Sequence, residues 1–176
     1  MIEVMKLDVL EQPAPWYAEG LNFTCTQCGN CCTGGPGFVW ISPVEIDRLA
    51  EFLGERSERL VKKYCRRFGD RLSLKERKTP EGLYDCIFLK HVPSEPTAGN
   101  PSPPPRRICS IYSVRPLQCR TWPFWPENLA SPQNWERGKR RCPGMGKGNR
   151  HFPQEQIEQI KDAKDWPDHP PTSGPL

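Results

Sequence analysis

Residues Phe23–Gly35 read FTCTQCGNCCTGG, with four cysteines in eight consecutive positions and an adjacent pair, Cys31 and Cys32, closing the run. Cys25, Cys28 and Cys31 are separated by two residues each. At that step a short turn directs successive sulfurs to one centre while the intervening amide hydrogens point at them. Thiols this crowded do not make an ordinary set of loop-closing disulfides. The segment therefore predicts a fold supported by metal rather than by a large apolar core.

Composition agrees. The chain has 176 residues, a prior for one domain, and its 36% hydrophobic content allows only a modest core. Its 21 prolines and 14 glycines concentrate in the second half, which predicts irregular loops needing outside support. No apolar run approaches the ~20 residues that cross a bilayer. The opening MIEVMKLDVLEQPAP lacks the basic-then-apolar order of a secretory signal. The expectation is a cytoplasmic chain with no membrane contact, where nine cysteines, an odd number, serve metals or redox chemistry rather than disulfides.

Outward from the cluster, Ser42, Pro43 and Glu45 form a helix start, and Ile46, Leu49, Ala50 and Leu53 recur at helical spacing before Gly54. This predicts a helix over about 43–53. A second helix is expected after Ser57, with Leu60, Val61, Tyr64, Cys65 and Phe68 along one stripe. Cys65 then reads as a small buried hydrophobe, not a ligand. Arg71–Lys75 and Tyr84–Leu89 are β-prone around turn residues Thr79–Gly82, suggesting a hairpin that delivers Cys86. Residues 91–107, HVPSEPTAGNPSPPPRR, have little to bury and read as a proline-rich loop or insertion. Residues 123–148 read mostly as loop, and Pro153 starts a helix with Ile157 and Ile160 inward. The fold class expected is α+β, small, irregular and loop-rich, with two or three helices and short strands. Residues 1–20 are a lead-in, with Trp16 and Tyr17 available to pack on the body. Residues 21–165 form the cysteine-cluster domain, with the proline-rich insertion at 90–107, and 166–176 a frayed tail.

Cys86, Cys109, Cys119 and Cys142 add thiols from four distant segments, as expected where metal binding and folding are linked. With Cys25, Cys28, Cys31 and Cys32 they make eight candidates, twice the number one four-thiolate ion needs. Neighbouring side chains in extended or turn backbone usually diverge, so the adjacent Cys31 and Cys32 are expected to serve two centres or one polynuclear cluster with bridging sulfurs. Which thiols share a centre is not given by spacing.

The stretches CTQCGNCC, DCIFL (Asp85–Leu89), CSIYSVRPLQCRTWPF (Cys109–Phe124) and CPGMGKG (Cys142–Gly148) together resemble the CxxCxxCC zinc- or iron-chelating family, the YkgJ-type cysteine-cluster proteins. The resemblance implies metal binding through these eight cysteines. This chain departs from the pattern in its proline-rich insertion, and in Trp122 where members often have Phe, changes that bear on a partner surface. A related cysteine pattern occurs in flagellin lysine methylases, so the resemblance also raises an iron-sulfur redox or protein-modifying enzyme as an alternative. No methyl-donor or nucleotide signature accompanies it.

Zinc and iron-sulfur clusters both accept tetrahedral thiolate surroundings. Successive two-residue gaps ending in three cysteines lean toward iron, whereas zinc more often takes paired knuckles, and Cys25 with Cys28 reads equally as one of those. Both cofactors stay open. Arg115 and Arg120, within the matched motifs, are candidates to donate charge-assisted hydrogen bonds to thiolate sulfur, and Arg140 and Arg141 read more readily as solvated cations. Residues 136–150 carry six basic residues against one acid. This charge suits neutralisation of a thiolate centre, or, in a third reading, a basic interaction module with structural zinc that contacts nucleic acid. TWPFWP (Thr121–Pro126) reads as an apolar lid, Asp85 as a turn residue or acceptor, and His91, His151 and His169 as surface histidines. GMGKG lacks the strand and helix of a nucleotide loop and reads as turn formers.

Overall fold

A computed structural model describes residues 13–148 and 150–167, so His169 and most of the lead-in lie outside the described residues. The fold is α+β, built from strands of two to four residues: β1 (Leu21–Asn22), β2 (Thr33–Gly34), β3 (Trp40–Ile41), β4 (Cys65–Phe68), β5 (Arg71–Leu74), β6 (Glu76–Lys78), β7 (Tyr84–Cys86), β8 (Leu89–Val92), β9 (Arg106–Cys109) and β10 (His151–Phe152). They pair antiparallel as β3-β5-β4, β2-β7-β6, β8-β9 and β1-β10. Helices α1 (Pro43–Leu53), α2 (Ser57–Tyr64), α3 (Leu117–Thr121), α4 (Pro126–Leu129), α5 (Pro132–Arg141) and α6 (Gln154–Asp162) pack around these small sheets. None of the described helices is long and apolar enough to cross a membrane.

Helix α1 forms where its capping signals place it. The Ser42 hydroxyl accepts from the Glu45 amide at 3.4 Å, and the Glu45 carboxylate accepts from the Ser42 amide at 3.0 Å. Gly54 ends it in the left-handed region at φ 63°. Ile46, Leu49 and Ala50 are buried, and with Leu60, Cys65, Leu74, Phe88 and Ile111 they make the first core. A second, largely aromatic core joins Tyr17, Phe23, Phe124, Trp135, Phe152 and Ile157. The lead-in residues Trp16 and Tyr17 do pack on the body: the Trp16 indole donates to the Leu129 carbonyl at 2.7 Å, and the Tyr17 hydroxyl to Glu158 at 2.6 Å.

Three expectations change. Helix α2 stops at Tyr64, and Cys65 is extended (φ −112°, ψ 156°), opening β4 rather than continuing the stripe. Gly69, at φ 57°, turns the chain so that Cys65–Phe68 pairs residue by residue with Arg71–Leu74. Tertiary pairing outweighs a helical pattern that shares its inward positions with a strand. The strand that pairs with the Cys86 segment is β6, Glu76–Lys78, because Arg71–Leu74 is occupied between β3 and β4. Residues 123–148 contain α4 and α5 instead of mostly loop. Helix α5 is capped by Ser131, whose hydroxyl accepts from the Asn134 amide at 3.2 Å, yet Trp135 is its sole buried residue. One inward side chain leaves no apolar period to read.

Candidate metal centre

Apart from Cys119, the motif cysteines stand at the ends of elements or in the loops and turns between them. Cys25 and Cys28 lie on the loop after β1, where Gln27 (φ 54°) and Gly29 (φ 72°) wind left-handed. Gly29 is pressed against β9, and a Cβ there would come within 2.6 Å of the Arg107 Cβ. Cys31 and Cys32 sit in a single 3-10 turn, Asn30–Cys32, tied by the Cys32 amide donating to the Gly29 carbonyl at 3.0 Å. Cys86 ends β7, Cys109 ends β9 opposite Leu89, Cys119 lies in α3, and Cys142 caps the C-terminus of α5.

The loop after Cys142 is fastened to the segment before Cys25. The Gly146 amide donates to the Asn22 carbonyl at 2.8 Å, and the Gly144 carbonyl accepts from the Thr24 amide at 3.2 Å. Glycines of the GMGKG stretch thus act as turn and contact residues. This stitching draws Cys142 toward the Cys25 turn, and all eight motif cysteines line one cavity of about 200 Å³. Cys65 does not. It is 6% exposed inside the first core, as its reading as a small hydrophobe required.

The Sγ atoms of Cys31 and Cys32 are 3.8 Å apart. The 3-10 turn brings together side chains that extended backbone would send apart, which corrects the expectation of divergence. An edge of a tetrahedral thiolate site, with Zn–S near 2.3 Å, is about 3.8 Å. The adjacent pair therefore has the spacing of two corners of one tetrahedron. Among the described residues no three ligand-type side chains are gathered tightly enough to hold an ion as they stand, and the thiols ring the cavity. The donor set itself, eight sulfurs around one hollow with all nine cysteines free, fits thiophilic metals.

The thiols are electrostatically coupled. A hydrogen bond from Cys32, aided by Arg115, brings Cys31 down to about 7, and a Cys32 hydrogen bond does the same for Cys109. Cys32 is pushed far up by its hydrogen-bonding contacts with Cys109 and Cys31 and by burial. Burial lifts Cys86 to about 11 and raises Cys119 as well.

The arginines divide differently from their sequence reading. Arg115 lines the cavity, donates to the Tyr112 carbonyl at 2.6 Å and stacks 3.9 Å over the Tyr112 ring. Arg120 points away and pairs with Glu45 at 3.5 Å, so it is not placed to reach a thiolate. Arg141 is the residue the sequence undervalued: it lines the cavity and donates to the carbonyls of Asn30 (3.0 Å) and Thr33 (2.7 Å), bracing the Cys31–Cys32 turn. Its signal was position, directly before Cys142 at a helix C-terminus. Tyr112, another wall residue, bears no mark in sequence. Trp122 and Trp125 form part of the wall, while Phe124 is buried in the second core. Asp85 bonds His91 at 2.8 Å, and His151 bonds Asn22 at 3.0 Å; neither histidine reaches the cavity.

A family profile described as "putative zinc- or iron-chelating domain" matches residues 24–143, which span more than half the chain and all eight cavity cysteines. The chain belongs to the CxxCxxCC family. This CxxCxxCC protein is 28% identical over 108 residues to an uncharacterized protein of Methanocaldococcus jannaschii, an alignment covering 61% of the chain and 48% of that relative. The chain thus spans about half that relative's length. No solved structure matches it. Zinc or iron is the metal class that the CxxCxxCC family indicates.

Proposed function

We propose that the eight cavity cysteines of this CxxCxxCC protein hold a centre of more than one metal atom, an iron-sulfur cluster or adjacent zinc ions, that also ties the fold together. The observation that carries this reading is the convergence of all eight motif cysteines on one hollow while the ninth is spent in the core. Eight sulfurs are twice the set of one tetrahedral ion. Bound there, the metal supplies thiolate cross-links between segments that share little regular structure, and redox capacity if it is iron. The protein's own groups shape that setting. Arg115 offsets thiolate charge, Arg141 braces the vicinal turn, and the tryptophans limit water.

The basic segment supports this reading over a nucleic-acid surface, because several of its cations are used locally. Arg141 holds the cysteine turn, and Lys139 pairs with Glu136 at 2.5 Å. A reducing, cytoplasmic setting is the one in which nine free thiols persist.

Elemental analysis of protein prepared without oxygen tests the proposal directly. More than one zinc or iron per chain is expected, with metal content and folded structure falling in Cys28→Ser and Cys119→Ser. Brown colour that bleaches on reduction selects iron-sulfur, and a colourless, zinc-replete protein selects zinc. Protein that carries no metal, or one ion per chain, refutes the polynuclear centre.

A further inference from the structure

The wall of the thiol cavity holds one polar group with nothing to bond. Cys31, Cys32, Cys86 and Cys119 line both that cavity and a second hollow of about 190 Å³ beside it, and Trp122 lines both with them. The Trp122 indole N–H is fully buried and has no hydrogen-bond partner. Two other buried side-chain atoms among the described residues share that condition, but each belongs to a group bonded elsewhere. Glu55 accepts from Lys63 at 2.9 Å through its other oxygen, and Arg66 donates from Nη2 to Glu76 at 2.9 Å. An indole has a single polar atom, so Trp122 is wholly unsatisfied. The other indoles nearby are not: Trp16 donates to the Leu129 carbonyl, and Trp125 to the Gln118 carbonyl at 3.0 Å.

A buried donor without an acceptor costs the full desolvation of the group, and native structures keep few of them. The acceptor for Trp122 therefore comes from outside the described chain, from water in the adjoining hollow or from a bound group. Sulfur dominates the wall it shares. A neutral thiol accepts weakly, whereas metal-bound thiolate or sulfide carries the charge that makes an N–H donor worthwhile. We propose that Trp122 donates its indole hydrogen bond to a sulfur of the bound metal centre, making it a residue that holds the centre and tunes its electron density. This rests on the metal-binding reading above. A rival acceptor within the fold is the Trp125 ring, 4.9 Å away and near perpendicular.

Indole resonances of ¹⁵N-tryptophan-labelled protein, followed while the metal-free chain is titrated with zinc and separately with ¹¹³Cd, test this. One resonance, identified by its loss in Trp122→Phe, is expected to move downfield, to exchange more slowly with solvent, and to show coupling to ¹¹³Cd. Trp122→Phe is expected to keep the metal stoichiometry but to lose metal to a competing chelator at roughly ten- to hundredfold lower chelator strength. Should Trp122→Phe not fold, the benzothiophene analogue of tryptophan at position 122 keeps the shape, removes only the N–H, and gives the same comparison. Failure to bind either metal, together with no iron in protein prepared without oxygen, refutes the metal-binding reading itself. Metal bound with the resonance unmoved, an upfield position with and without metal as for a ring-face acceptor, or unchanged chelator competition refutes the Trp122 proposal alone.

Discussion

Substituting Gly144 with alanine tests how Cys142 is brought to the cavity. A Cβ at Gly144 would lie 2.1 Å from the Thr24 carbonyl oxygen, 3.0 Å from its carbon and 3.4 Å from Phe23 Cε2. The first two are backbone atoms of the segment leading to Cys25, so no side-chain rotation relieves them. The Cys142 loop must lift, and with it go the Thr24–Gly144 hydrogen bond and the bridge between Phe23 and Met145. Overpacking of this kind costs about 1–3 kcal/mol, and the lost hydrogen bond adds about 1 kcal/mol. Gly144→Ala is thus expected to lose about 3 kcal/mol, a drop of roughly 1–2 M in urea midpoint at ordinary slopes. Metal per chain should fall with it, because Cys25 and Cys142 separate. The assay is urea unfolding of metal-loaded protein with elemental analysis of the same samples. Gly99→Ala, with nothing within 4 Å of the added carbon, is the control. A Gly144→Ala protein with unchanged midpoint and full metal content refutes the stitching of the two loops.

At pH 7 Cys32, Cys86 and Cys119 carry protons in the metal-free chain, because their thiols are all raised, Cys86 to about 11. Coordination takes thiolate, so zinc loading should release at least three protons, and affinity should fall as pH falls; calorimetry in buffers of different ionisation enthalpy reads the number, and zero release contradicts coordination by these thiols. Glu45→Ala should destabilise the protein by about 3 kcal/mol in thermal or urea unfolding, since this buried carboxylate accepts from the amides of Ser42 (3.0 Å) and Leu117 (2.5 Å) and holds α3, which carries Cys119. Glu45→Gln should recover part of that loss. Cys65→Ala should leave metal content unchanged while costing about 1 kcal/mol from the first core, and loss of metal in it would place the ninth thiol at the centre after all.

The parts legible in the sequence are those whose physics is local. Helix α1 needs only Ser42, Pro43, Glu45 and the spacing of Ile46, Leu49 and Ala50, and the structure returns each contact. The hairpin carrying Cys86 follows from its turn residues, yet its partner strand does not, because Arg71–Leu74 and Glu76–Lys78 have similar strand character and the choice is made by β3 and β4 on one side and β2 on the other. Helix α5 is hidden for the opposite reason. It buries Trp135 alone and is fixed by its cap and by Arg141, features that leave no period. Arg120 and Arg141 show the same limit within the site. Both flank a cysteine, and only the fold decides that one is turned to Glu45 and the other to the Cys31–Cys32 turn.

The vicinal pair is where local rule and fold part most usefully. Adjacent side chains diverge in extended or turn backbone, and on that ground Cys31 and Cys32 belong to separate metals. The 3-10 turn instead sets their sulfurs 3.8 Å apart, with Cys32 also hydrogen-bonded to Cys109. The vicinal pair is thereby spaced to serve one metal as readily as two. The case for a centre of several atoms then rests on the number of thiols that line one hollow, not on divergence of neighbours. Arg141 braces that turn from the carbonyls of Asn30 and Thr33: those bonds lie on either side of the pair and fix the backbone that sets the two sulfurs together.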